Sequence, residues 1–214
     1  MDKVSVLQNL DAFGLISKTA KKLRIIVGKY FADLFDYNFT NPSKFVEIFY
    51  KRYLNLPENE RSNSMNGSIF ELIIAIALYR SNICPLYQEA TISFVPHARF
   101  DIVAFKTDGD IICFSLKTSF RERWKQADLE ALALKSVHRR AKCWLISYEI
   151  EDARNTQKKI TEGGALAIDE AISAITPRFD ELLKELSTDK FEEPQMVPLM
   201  KHSELVSQSN WTEP

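Results

Sequence analysis

Two short apolar stretches of this chain each carry one charged residue: Asp101 within Arg99-Phe100-Asp101-Ile102-Val103, and Lys117 at the end of Phe114-Ser115-Leu116-Lys117. Arg121-Glu122-Arg123 follows at once, and twelve residues separate Lys117 from Glu130. Carboxylates hold a hard divalent cation such as Mg²⁺ through oxygen, and the cation neutralises a phosphate and acidifies bound water. A lysine beside them orients that water or stabilises the developing charge. The chemistry this set predicts is metal-dependent phosphodiester hydrolysis. No other segment offers a comparable set.

Arg121-Glu122-Arg123 predicts a partner as well as a reaction. An arginine fork matches O6 and N7 of guanine, and a glutamate accepts from N4 of cytosine, so the triplet carries the groups for two adjacent G·C pairs. A helix start suits entry into the major groove of double-stranded DNA. The helix dipole disfavours cations at that end, so a ligand is the better reason for two arginines there.

The elements must place these groups on one face. Strands are expected over 87–95, 100–106 and 111–117, with Thr107-Asp108-Gly109-Asp110 as the turn between the last two. Ser115 and Lys117 share a strand face and Leu116 takes the other. Asp101 joins them only if it pairs opposite Lys117 or Ser115. A two-residue Asp108-Gly109 loop would set it opposite Leu116. A three-residue Asp108–Asp110 loop sets it opposite Lys117, so that loop, or a bulge, is expected. A helix over 122–138 brings Glu130, seven residues after Arg123, onto the arginine's face and back towards the strand end.

A further helix is expected from Ser68, as N-cap, to about Arg80. It is almost wholly apolar, so its lone acid, Glu71, needs a cationic partner or points into a site as a metal ligand or its support. Glu89 is a reserve ligand. Ser115 is read as packing or hydrogen-bonding, Trp124 as core, and Arg139-Arg140 as solvated surface.

Elsewhere the chain reads as helices over 2–55, with Pro42 in a first turn, and a polar connection over 57–67. A strand follows at 142–148, a helix near 152–161, a short strand at 165–168, and a helix over 169–186 broken at Pro177. The tail after Ser187 has little pattern. Helix, three strands, helix, strand, helix, strand is the order of an α/β protein whose mixed sheet is covered on both faces. The expected division is an N-terminal helical region at 1–65, a core at 66–186 and a tail at 187–214.

Composition sets limits on function. The formal net charge is −1, so a nucleic-acid surface must come from local clusters. Lys18, Lys21, Lys22 and Arg24 form one, read as a solvated helix face. Cys84, Cys113 and Cys143 include no CxxC pair, which excludes a zinc ribbon or disulfide framework and points to a reducing compartment. His97, His138 and His202 lack ligand spacing. No apolar run is long enough to span a membrane and no signal-peptide core opens the chain, so a cytoplasmic protein is expected.

Asp101 followed by Ser115-Leu116-Lys117 resembles the PD-(D/E)XK nuclease superfamily, with Phe100 in the place of the proline and Ser115 in the place of the second acid. Ser-x-Lys, then Arg121-Glu122-Arg123, then Glu130 is similar to the type II restriction endonucleases that read CC/GG dinucleotides, the EcoRII-like branch. The resemblance covers roughly residues 68–148. It implies a restriction-endonuclease-like αβββαβ core and Mg²⁺-dependent cleavage that leaves 5′-phosphates. Asp101 and Glu130 would bind metal with help from Glu71, Lys117 would serve the attacking water, and Arg121, Glu122 and Arg123 would read bases. Asp128 stands where some of these enzymes carry arginine. A palindromic target implies a homodimer. The other readings are a structure-dependent repair or junction nuclease of the same superfamily, and a catalytically silent DNA-binding protein.

Overall fold

Alternation along the central strands sorts the core onto two faces. In β2 (Phe100–Phe105) and β3 (Ile111–Lys117), Ile102, Ala104, Ile112, Phe114 and Leu116 point one way, and Val103, Phe105, Ile111 and Cys113 the other. The structure, a computed structural model, describes residues 3–95, 98–120, 123–194, 200–201 and 204–206. β1 (Leu86–Ile92) pairs antiparallel with β2, and β2 with β3, while β4 (Lys142–Ser147) and β5 (Glu170–Ser173) continue the sheet in parallel. The main strand order is β5-β4-β3-β2-β1.

Helices cover both faces. On one lie α1 (Lys3–Ala12), α2 (Lys21–Tyr30), α3 (Pro42–Leu54), α4 (Asn63–Arg80) and α7 (Pro177–Leu186); on the other lie α5 (Trp124–Val137) and α6 (Ile150–Thr161). The N-terminal helices therefore share a core with the sheet. Phe45 and Phe49 stack near Phe31 and Phe39 to join these helices. Asp180 of α7 accepts from the Ser43 amide and hydroxyl, each at 2.7 Å, and so caps α3 from a distance. This is the mixed, helix-flanked α/β sheet that the element order predicts. Among the described residues no helix is long and apolar enough to cross a membrane.

Several details differ from expectation. α4 begins at Asn63, not after Ser68, because Ser62 is the cap: its Oγ accepts from the Met65 amide at 3.2 Å. The strand expected at 165–168 lies at Glu170–Ser173 instead, since the amides of 166–168 are taken by the Asp128 carboxylate. Residues 169–176 are thus not helical, and Pro177 opens α7 at its first turn rather than breaking a helix. In the tail, β6 (Met200–Lys201) and β7 (Glu204–Val206) both pair antiparallel with β1 along its outer edge.

The β2–β3 turn decides whether the site forms. Lys106 donates to Asp110 O at 2.9 Å, closing a three-residue loop over Thr107–Gly109, one residue earlier than expected. Gly109 supplies the left-handed backbone, φ +86°, that this turn requires. Arg140 fastens it, donating to Asp108 O at 2.7 Å and pairing with Asp110 at 2.8 Å.

Candidate active site

The register Ile102↔Phe114, continued by one residue, sets Asp101 opposite Ser115. Asp101, Ser115 and Lys117 therefore share one face, as the placement required. Lys117 Nζ donates to Asp101 Oδ2 at 2.8 Å, and the Leu116 amide donates to the same oxygen at 2.5 Å. The pair is about three-quarters buried, with side chains 23% and 24% exposed. Ser115 is buried, in keeping with a packing role.

α4 and α5 flank this end of the sheet from opposite faces. Between them opens a cleft of about 660 Å³, lined by Asn63, Asn66, Gly67 and Glu71 of α4, by 116–119 at the end of β3, and by Arg123 and Gln126. Burial pushes the Glu71 carboxyl up to about 7; the Asp101 charge adds to this and the Lys117 charge opposes it. Burial also raises Glu130, which accepts from Gln126 Nε2 at 3.0 Å and feels Lys117 and Asp101. Glu71 of α4 and Glu130 of α5 thus each lie within electrostatic reach of Asp101 of β2 and Lys117 of β3.

Glu89 completes the surroundings. The pairs Gln88↔Ile102 and Ala90↔Phe100 place it directly opposite Asp101, with no residue inserted. Its backbone is nevertheless left-handed, φ +49°, and its carboxylate pairs with Arg99 at 2.5 Å. A non-glycine residue in that region is a strained position beside the candidate site.

Among the described residues no three or more His, Cys, Asp or Glu side chains converge tightly enough to enclose a metal. Mg²⁺ does not need such a cage: it binds through one or two carboxylates, keeps several waters and takes substrate phosphate oxygens. The donors fit it in kind, all being hard oxygens. Asp101 Oδ1 accepts from no described residue, and Glu71, raised chiefly by burial and further by the Asp101 charge, is a carboxyl whose ionised form a cation would favour.

The recognition triplet is only partly described. Arg121 and Glu122 lie outside the described residues; Arg123 is exposed at the start of α5 and lines the cleft. Phe120, after β3, is held by Asp152, which accepts from its amide at 3.0 Å. Asp128 does not line the cleft; it is buried within the α5 layer against the amides of 166–168. Trp124 is buried as expected. Cys113 and Cys143 face each other across β3 and β4 as buried free thiols, and burial pushes Cys113 up. Arg24 of the basic cluster pairs with Asp11 through both guanidinium ends.

Sequence reasoning missed Asn63, Asn66, Gly67 and Gln126. The first three belong to the polar first turn of α4. Their signal was Ser62 three residues before Met65, a capping position that precedes the apolar run by one turn. Gln126 lies four residues before Glu130, the helical spacing for a supporting amide.

No protein-family profile and no curated protein matches this chain. Among solved structures it is similar to a chain described as "Restriction endonuclease PspGI-substrate DNA complex", with a TM-score of 0.57 and 16% identity over 84% of each chain. The fold is restriction-endonuclease-like. At that identity the likeness covers architecture alone, so the chemistry of this chain rests on its own residues.

Proposed function

We propose that this protein is a Mg²⁺-dependent, sequence-specific double-strand DNA endonuclease of a bacterial restriction system, acting at a site that contains CC/GG dinucleotides. The observation that carries the reading is the Asp101–Lys117 pair, whose lysine lines a cleft together with Glu71, within a restriction-endonuclease-like fold. The solved neighbour was captured on substrate DNA, which supports the same partner here.

Asp101 and Glu130 would hold the metal, with Glu71 assisting. A divalent cation bound there would supply charge neutralisation and acidify a water. Lys117, fixed by Asp101, would stabilise charge developing on the phosphate oxygens or orient the attacking water. Arg121, Glu122 and Arg123 would enter the major groove and read two G·C pairs, each good bidentate contact contributing about 1–3 kcal/mol of discrimination. Two symmetric cuts in a palindrome require two copies, so the working form would be a homodimer, in the cytoplasm where foreign DNA arrives.

A second reading has one observation in its favour. Ser115 stands where the superfamily carries its second acid, as a catalytically silent DNA-binding protein would allow. One experiment separates the two: purified protein is incubated with long double-stranded DNA of known sequence, with and without Mg²⁺, beside Lys117→Ala. Discrete metal-dependent fragments that vanish in the variant establish the nuclease, and sequencing their ends gives the site. Specific binding without cutting establishes the silent binder, and cutting governed by DNA structure rather than sequence establishes a repair or junction nuclease.

A further inference from the structure

β1 runs towards the end of the sheet where Asp101 begins β2 and Lys117 ends β3, so the β1–β2 turn projects at the catalytic end. In that turn Phe94 has φ +65° and is 80% exposed, the most exposed large apolar side chain among the described residues. Left-handed backbone is unfavourable for a bulky residue, and a bare aromatic ring is unfavourable in water; glycine or asparagine would relieve both. The turn itself is anchored. The Val95 amide donates to Ile92 O at 3.2 Å, and both side chains are buried. The ring is therefore held outward from a fixed base.

Strand order gives the turn a partner. Along the sheet end, residues 118–120, which follow β3, lie on one side of Asp101, and the Phe94 turn lies on the other. Each backbone strand of B-DNA divides a major from a minor groove. With a phosphate at the Asp101–Lys117 pair and the arginine segment in the major groove, Phe94 faces the minor groove. Among the described residues of the turn Phe94 is the one exposed apolar side chain, Val95 and Ile92 beside it being buried, whereas a protein interface would offer a continuous apolar patch.

We propose that Phe94 is a wedge that enters the minor groove beside the cleaved phosphate, unstacks a base step and bends the duplex. The inference rests on the nuclease reading above. It makes Phe94 a positioning residue: the bend seats the phosphate, and the ring takes no part in the chemistry.

The test compares full-length wild type, Phe94→Gly and Phe94→Trp. Each is first assayed for cutting of long double-stranded DNA with Mg²⁺. Each is then bound, with Ca²⁺ replacing Mg²⁺, to short duplexes of the cleaved sequence carrying 2-aminopurine at successive positions. Wild type and Phe94→Trp are expected to raise fluorescence at one step, the mark of lost stacking. Phe94→Gly is expected to lose that rise and to cut about tenfold more slowly or worse, while its Tm holds or rises because glycine relieves the turn. A Phe94→Gly variant that cuts and unstacks like wild type overturns the wedge and leaves the nuclease standing. A fall in Tm and cutting together, without any wild-type fluorescence step, shows a structural ring and also overturns it. Wild type that cuts no DNA overturns both readings.

Discussion

Lys117 Nζ reaches the same oxygen of Asp101 that the Leu116 amide occupies, Oδ2, at 2.8 Å. The lysine and its own strand thus grip one side of the carboxylate, and among the described residues none donates to Oδ1, which a cation or water could take. Lys117→Met keeps the length of the side chain and removes its charge. Because the ion pair is part-exposed, stability should change by about 1 kcal/mol or less. Cutting of DNA should fall by about a hundredfold or more, the scale of removing one electrostatic stabiliser. Thermal melting beside a cleavage time course checks both; a parallel loss of fold and activity would reduce the pair to a structural contact.

Glu71 gives the site a pH dependence whose sign is fixed by its burial. Its carboxyl is raised from 4.5 to about 7, so the folded chain holds a proton that the unfolded chain has released between those values. Stability should therefore fall as pH rises from about 4.5 to 7, by a few kcal/mol at most. Glu71→Gln should remove that slope, so the variant overtakes wild type above pH 7. Mg²⁺ should stabilise wild type more at pH 8 than at pH 5, since Glu71 can assist the other metal ligands only as a carboxylate. Tm against pH, with and without Mg²⁺, reads all three expectations.

The residues legible in sequence are those whose placement follows from a local period. Asp101 and Lys117 met because two strands alternate with period two and a three-residue turn joined them. The turn's position was off by one residue, yet any odd loop there keeps Asp101 on the lysine's face. Glu130 followed from helical spacing alone. What escaped depends on distant partners. Asn63, Asn66 and Gly67 are poor helix formers, and their turn exists because the apolar remainder of α4 is anchored in the core. Ala165-Leu166-Ala167-Ile168 is more apolar than Glu170-Ala171-Ile172-Ser173. The latter became β5 because it pairs with β4 while Asp128 takes the amides of the former.

Asp128 stands in contrast to the acids proposed for the site. It accepts from the amides of Leu166, Ala167 and Ile168 at 2.7–3.0 Å while only 4% exposed. Asp128→Ala leaves three donors without partners and should cost about 3 kcal/mol or more. A large fall in Tm is expected, with specific activity per folded molecule retained. Asp128→Arg, which installs the residue some restriction enzymes carry there, should destabilise further, since a buried guanidinium would face backbone donors.

Ser115 and Glu130 together test whether one acid has moved from the strand to the helix. Ser115 faces Asp101 across the β2–β3 ladder, where a carboxylate would share the metal directly. Glu130 reaches the same surroundings from α5, half-buried and sensing both Asp101 and Lys117. Glu130→Ala should lower Mg²⁺-dependent cutting by about a hundredfold or more. Ser115→Asp alone crowds a second carboxylate against Asp101, so it should weaken stability without metal and regain it with Mg²⁺. In the double variant the strand acid restores part of the lost cutting, because the count of oxygen ligands is restored near the lysine. Cleavage rates across a Mg²⁺ titration of the four proteins decide the matter. Full activity in Glu130→Ala would remove Glu130 from the site and leave Asp101 and Glu71 as its acids.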